Sequence, residues 1–334
     1  VKKRIKKPSQ ILAVADIAPV DQYLSTGCTL LDLAIADRIP GGFGVGRISQ
    51  IYGPSSSAKS VLLAEPLGAA QRLGGTAVLV DSESTYDFTR GEELFGLNYN
   101  DFKYISPADS EDELTIEYLF DVIVPKVLKI EQKPIALGVD SLSAMPSDTE
   151  MDEGISDKSY GMSRAKGLSK AFRKYIWQLS KSNMSMIFID QTRVNVGASF
   201  GKQHTVSGGK ALGFYASTIV MVKKMGNIVN KHKKVIGVEI GFDIEKNKIA
   251  PPHRKGSFRL LFDYGIDDVG SNLVWLKKET GTSTYRCPDG KMHKSLNQAI
   301  DYVEDNDMEE DLRHDVLSLW QDLYAKVERK RKVR

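Results

Sequence analysis

The chain has 334 residues, 41% of them hydrophobic and 27% charged, with a formal net charge of +3. That balance suits one large or two moderate globular domains. No apolar run approaches the roughly 20 residues that cross a bilayer, so no membrane partner is expected. Cys28 and Cys287 stand far apart and the five histidines are scattered, so neither a disulfide framework nor a zinc site is expected, and a reducing cytoplasm fits. A charge of +3 does not argue for nucleic acid by itself, but both ends are basic, KKRIKK at 2–7 and KVERKRKVR at 326–334. Solvated tails are the plain reading of such runs. The opening stretch carries no apolar core or small-residue cleavage site, so no export signal is expected.

In chain order, GFGVGRISQIYGP (42–54) reads as a glycine turn and a short strand over 47–52. IYGPSSSAKS (51–60) then nearly matches the phosphate-binding loop G-x-x-x-x-G-K-[ST]. Gly53, Pro54, Ser55, Ser56, Ser57, Lys59 and Ser60 fill the pattern, and Ala58 stands where its second glycine belongs. Residues 60–75 follow as a helix, with Leu62, Leu63, Leu67 and Ala70 near 3.6-residue spacing and a kink expected at Pro66. TAVLVDSES (76–84) is an apolar strand with Glu83 just past its end. A helical pattern over 111–129 leads to PIALGVDSLSA (134–144), a buried strand ending in Asp140 and Ser141. A second helical pattern over 164–182 leads to MSMIFIDQTR (184–193), which ends in Gln191 and Arg193.

Alternating strands and helices predict an α/β fold with a mainly parallel central sheet and helices on both faces. Ligands bind such sheets beyond the carboxyl ends of the strands, where Lys59, Ser60, Glu83, Asp140 and Gln191 all fall. The chemistry assigns their roles. Backbone N–H groups at a helix N-terminus attract phosphate, and Lys59 neutralises β/γ oxygens. Ser60 and Asp140 hold Mg²⁺, Asp140 through the ion's hydration shell, and Glu83 polarises the attacking water. Gln191 senses the γ-phosphate and moves the segment behind it.

Seven spaced stretches extend this pattern: STGCTLLDLAI (25–35), GRISQIYGPSSSAKS (46–60), VDSESTYD (80–87), VDSLSA (139–144), FIDQTRVNVGASFG (188–201), SGGKALGFYAS (207–217) and EKNKIAPP (245–252). In these residues the chain resembles the RecA family of strand-exchange ATPases, and more particularly its bacteriophage members. The likeness covers about 23–266, and a fainter one over 284–306 resembles the family's small C-terminal domain. It implies a RecA-like P-loop ATPase core over 23–266, a basic N-terminal arm over 1–22 that packs subunits, and a small α+β C-terminal domain with a basic tail over 267–334. The implied function is an ATP- and Mg²⁺-dependent DNA recombinase in a bacterial cytoplasm, phage-encoded in the closest resemblance. It assembles into helical filaments on single-stranded DNA and exchanges strands with homologous double-stranded DNA.

The resemblance also implies roles for single residues. Glu83 falls on the family's catalytic glutamate, Asp140 on its Walker B aspartate, Gln191 on its allosteric glutamine and Asp87 on an adenine-contacting aspartate. Lys246 and Lys248 match lysines that reach the γ-phosphate across the subunit interface. DNA binding falls on two loops, 150–166 and 194–210. The first is small and polar, the kind of segment that orders on a ligand. In the second, glycines let backbone approach phosphates, and Phe200 can wedge between bases without demanding a sequence. Arg173, Arg193 and Lys210 match positions that meet the DNA backbone, with Ser207, Gly208 and Gly209 beside them. A one-residue gap leaves either Arg164 or Lys166 as the counterpart of the first-loop arginine.

The chain departs from the family at Ala58, whose methyl group is expected to crowd the phosphates. It departs also in its shorter N-terminal arm, where ILAVADIA (11–18) stands for the subunit-packing segment, and in its basic end. Two other functions stay open: a RecA-fold hexameric helicase, and a non-hydrolysing filament or recombination mediator. The long glycine-rich second loop and the setting of Glu83 argue against the first. Intact Lys59, Ser60, Glu83 and Asp140 argue against the second.

Overall fold

A computed structural model describes residues 20–108, 113–152, 160–194, 204–206 and 209–324. The chain opens with β1 (Tyr23–Leu24), α1 (Thr29–Ala36), β2 (Phe43–Gly44), β3 (Ile48–Gly53), α2 (Lys59–Arg72), β4 (Thr76–Asp81), α3 (Phe88–Phe95) and β5 (Phe102–Ile105). It continues through α4 (Ile116–Tyr118), a π turn (Leu119–Ile123), α5 (Val124–Val127), β6 (Ile135–Asp140), α6 (Asp148–Asp152), α7 (Tyr160–Lys181) and β7 (Met184–Val194). Next come β8 (His204–Val206), α8 (Gly209–Tyr215), β9 (Thr218–Val229), β10 (Val235–Asn247), β11 (Lys255–Leu261) and β12 (Gly265–Asp267). The last elements are α9 (Asp268–Thr280), β13 (Tyr285–Arg286), β14 (Met292–His293), α10 (Leu296–Asp305) and α11 (Glu309–Leu323).

The central sheet runs β12-β11-β10-β9-β3-β7-β6-β4-β5, with β8 paired to β7. From β9 to β5 every pairing is parallel, and β10, β11 and β12 extend it antiparallel. Strands β3 and β4 are buried along their whole length, as strands covered on both faces must be. Alternation assigns the faces. Ala77 and Leu79 of β4 pack with Leu62, Leu63 and Leu67 of α2, while Val78 and Val80 pack with Phe120, Phe172 and Leu179 on the other side. A mainly parallel sheet flanked by helices is therefore the architecture of the chain. Among the described residues no helix is long and apolar enough to cross a membrane.

Helix α2 passes through Pro66 unbroken. Two expected elements differ from the structure. Among the described residues the pattern over 111–129 forms a helix only from Ile116 to Val127, started by Thr115, whose side chain accepts from Tyr118 N. Its ladder widens into the π turn just ahead of Pro125, which has no N–H to donate one turn back. Helix α7 begins at Tyr160, so residues 160–166, expected in the first loop, are helical. Arg164 supplies the anchor: its guanidinium donates to the Leu142 carbonyl and faces Glu150 at 3.9 Å.

Beyond β12, helices α9 and α10 and the β13–β14 hairpin pack around Val269, Leu273, Cys287, Ala299, Val303 and Leu312. Helix α11 also reaches back. Trp320 Nε1 donates to Asp37 Oδ1 at 3.1 Å, and Arg254, ion-paired to Asp37 at 2.9 Å, lies over the Trp320 and Tyr324 rings.

Candidate functional site

Parallel register brings the strand ends to one edge of the sheet. Gly53 pairs with Gln191 between β3 and β7, and Asp81 pairs with Asp140 between β4 and β6. A Cβ at Gly53 would lie 2.1 Å from the Val222 carbonyl oxygen, so only glycine lets β3 turn there beside β9. Pro54, Ser55 and Ser56 are exposed, and Ser57 Oγ donates back to the Pro54 carbonyl at 2.7 Å. Helix α2 then starts at Lys59 with no acidic residue in its first turn, presenting free N–H groups to an anion.

Ala58 has φ 65°, in the left-handed region. An L residue in that region costs about 1–2 kcal/mol.

The Lys59 ammonium is buried and donates to the Pro54 carbonyl at 2.7 Å. Burial lowers its pKa, while Asp140, Glu83 and Asp190 act the other way. Ser60 Oγ donates to Asp140 Oδ2 at 2.9 Å. Burial pushes the Asp140 carboxyl up to about 6, with Glu83 and Asp81 adding to the rise and Ser60 and Lys59 opposing it. A hydroxyl and a carboxylate side by side are hard oxygen donors suited to Mg²⁺, which keeps several waters and takes further ligands from phosphates. Among the described residues no group of three or more His, Cys, Asp or Glu side chains could cage a metal by protein alone.

Glu83 is exposed two residues past β4, and its Oε1 accepts from Ser141 Oγ at 3.0 Å and faces Gln191 Nε2 at 3.5 Å. Asp81 builds the turn that carries Glu83. Its oxygens accept from the backbone N–H groups of Glu83, Thr85 and Tyr86 at 3.1, 2.8 and 2.8 Å and from the Tyr104 hydroxyl at 2.9 Å. Sequence reading passed over Asp81 as the last residue of a strand. Asp87 caps α3 by accepting from Arg90 N at 3.1 Å, and lines a cleft with Ser60, Arg90 and Asp140.

Asp190 was also missed. It is fully buried, accepts from Gln50 Nε2 at 2.7 Å through Oδ2, and its Oδ1 has no hydrogen-bond partner among the described residues. Burial pushes its carboxyl up to about 7, against the pull of Gln50, Arg164 and Lys59. The one available signal was an acid inside the apolar run MSMIFIDQ.

The other expected site residues fall in three places. Lys166 and Arg173 are exposed on α7, whereas half-buried Arg164 is turned inward onto Leu142 and Glu150. Arg193 lies on β7 opposite Thr205 of β8, and Gly209 and Lys210 open α8. Phe200, Ser207 and Gly208 lie outside the described residues.

Lys246 and Lys248 stand apart from the cluster. Asn247 pairs with Thr218, and Thr218 with Ser49, so both lysines sit at the edge where β3 begins. Gly53 is four residues further on, about 13 Å along the strand. Lys246 Nζ donates to the Gly213 and Phe214 carbonyls at 2.7 and 2.8 Å, closing the end of α8. Within one subunit these lysines do not join Lys59.

Comparison with known proteins agrees with this geometry. The family model described as the RecA N-terminal domain matches residues 3–267. The chain is 32% identical over 307 residues to Protein RecA of Colwellia psychrerythraea, covering 89% of this chain and 83% of that one. It is 36% identical over 261 residues to Protein RecA of Mycoplasma mycoides, covering 78% and 71%. Among solved structures, the crystal structure of the RadB recombinase is similar in fold, with a TM-score of 0.51 at 22% identity over 73% of this chain and 98% of that one. The chain belongs to the RecA family.

Proposed function

We propose that this protein is an ATP-dependent homologous recombinase that forms helical filaments on single-stranded DNA and exchanges strands with a homologous duplex. The observation that carries this reading is the division of the phosphate-reactive groups. Lys59, Ser60, Glu83, Asp140 and Gln191 share one sheet edge, while Lys246 and Lys248 occupy the opposite one. A site that needs both sets is completed only where one subunit's strand ends meet the next subunit's β10 end. Hydrolysis is thereby tied to assembly.

In this reading the residues 53–60 wrap the ATP phosphates, and Lys59 leaves the Pro54 carbonyl to meet β/γ oxygens. Asp87, beside the cleft, contacts the base. Ser60 and Asp140, 2.9 Å apart, would hold Mg²⁺, which would supply charge neutralisation to the phosphates. Glu83, oriented by Ser141 and the Asp81 turn, takes a proton from the attacking water. Gln191 passes the state of the γ-phosphate into the segment 194–210, which with Lys166, Arg173, Arg193 and Lys210 holds DNA.

Assembly has a receptive surface. Strand β5 pairs with β4 alone among the described residues. Beside it lies a cleft of about 410 Å³ floored by Val78, Ile105, Ile123 and Val127. An apolar segment of a neighbour, ILAVADIA at 11–18, would bury its side chains in such a cleft. On this reading 1–22 is the assembly arm, 23–266 the ATPase core and 267–334 a smaller accessory domain.

The test is ATP hydrolysis with and without single-stranded DNA, read beside electron microscopy of the same samples. DNA-stimulated hydrolysis and helical filaments are expected, with affinity falling steeply as salt rises. Turnover that single-stranded DNA does not raise, ring-shaped assemblies or a salt-independent affinity would overturn the reading.

A further inference from the structure

The outward face of α7 carries a stripe that the nucleotide chemistry leaves unused. Lys166, Lys170, Arg173, Trp177 and Lys181 follow one another at spacings of four, three, four and four residues, and all five are exposed. On a helix that spacing makes a single line, about 22 Å long. The opposite face holds Leu168, Phe172, Tyr175 and Leu179, all buried in the core. Trp177 is 65% exposed, and the Lys181 ammonium lies over its ring, 4.2 Å from the centroid.

We propose that this face is a track for a single nucleic-acid strand, with Lys170 and Lys181 meeting phosphates and Trp177 stacking on an unpaired base. The proposal rests on the DNA-binding reading above and extends it to residues outside both expected loops. Charge complementarity selects the occupant. No acid interrupts the stripe between 166 and 181, and Asp121, to one side, is taken by Lys174 at 2.7 Å. An indole face beside a cation suits a base, whose own π-face is free only in a single strand. Basic residues alternating with an aromatic along one line are the pattern of a groove that follows a backbone without reading sequence.

The experiment titrates the full chain with an oligo-dT strand at several salt concentrations, following tryptophan fluorescence and the anisotropy of a labelled strand. Trp320 is buried and Trp275 half-buried, so Trp177 should dominate any quenching. Trp177→Ala should weaken binding about tenfold, the scale of one base–aromatic stack, and remove most of the quenching. Trp177→Tyr, which keeps a stacking face, should retain most of the affinity. The double variant K170A/K181A should reduce the slope of log K against log salt by about 1.4, two single-strand phosphate contacts. DNA-independent hydrolysis should be unchanged in all three.

Variants that bind as the wild type does, with the same slope, would overturn the track while leaving DNA binding in place. Loss of self-association without DNA, measured by sedimentation and with strand affinity intact, would make α7 a contact between copies and also overturn it. A wild-type chain that fails to bind oligo-dT would overturn the DNA reading itself.

Discussion

Gln191 Nε2 lies 3.5 Å from Glu83 Oε1, at the long limit of a hydrogen bond. Glu83 is held more firmly from the other side, by Ser141 Oγ at 3.0 Å. The carboxylate thus has one fixed partner and one loose one, and the loose one lies near the end of β7, the strand that leads into residues 194–210. A γ-phosphate that draws Gln191 away would free Glu83 for water and pull on that segment in one movement.

Glu83→Gln keeps the shape and an acceptor oxygen for Ser141 but removes the base. ATP and DNA binding should persist while turnover falls by roughly 10²-fold or more, the scale of losing a positioned general base. Steady-state hydrolysis and a filter-binding assay check this. Near-normal turnover would take the base role away from Glu83.

Ala58→Gly should relieve the left-handed strain at φ 65°. The gain is about 1–2 kcal/mol, less the roughly 0.5–1 kcal/mol of extra chain entropy that glycine loses on folding. A small rise in unfolding free energy is expected, with hydrolysis kept or raised. A large loss of activity would mean that the loop works only with a side chain at 58.

Asp190→Asn tests the buried carboxyl behind the phosphate loop. Its folded pKa of about 7 lies above the ordinary carboxyl value of 3.8, so the folded chain binds the proton more tightly than the unfolded one. The contribution of Asp190 to stability is therefore fully present below about pH 4 and is lost as pH rises through about 7. Glu65, lifted to about 7, and Asp32, lifted to about 6, act in the same direction and remain in the variant. The readout is thus a difference. Urea denaturation at pH 5 and pH 8 should show Asp190→Asn gaining on the wild type at the higher pH, and parallel behaviour would show that Asp190 stays ionised.

Much of this site could be read before the structure because its residues follow apolar strands. Lys59, Ser60, Glu83, Asp140 and Gln191 each lie at or beyond the carboxyl end of an apolar run that reads as a buried strand, and parallel register gathers the strand ends at one edge. Asp81 and Asp190 escaped because both are buried and their work is to receive hydrogen bonds from a turn and from Gln50, which no spacing announces. The start of α7 was hidden because its anchor, Leu142 with Glu150, lies many residues upstream of Arg164. The conformation of Ala58 was invisible as well, since a residue type does not state its φ.

The last prediction concerns the lysines at the far edge. Lys246 is spent on the end of α8 within its own subunit, at 2.7 and 2.8 Å from the Gly213 and Phe214 carbonyls, whereas Lys248 is exposed. Lys248→Ala should therefore leave the fold intact and depress DNA-stimulated hydrolysis if it completes a neighbour's site. A surface role predicts almost no effect. The decisive measurement mixes Lys248→Ala with Glu83→Gln, each nearly inactive alone. Where a subunit with intact Glu83 stacks against one with intact Lys248, a complete site forms, so activity should recover in part and depend on the mixing ratio. Mixed filaments that form, as shown by labelled subunits in one filament, yet stay inactive at every ratio would rule the shared site out.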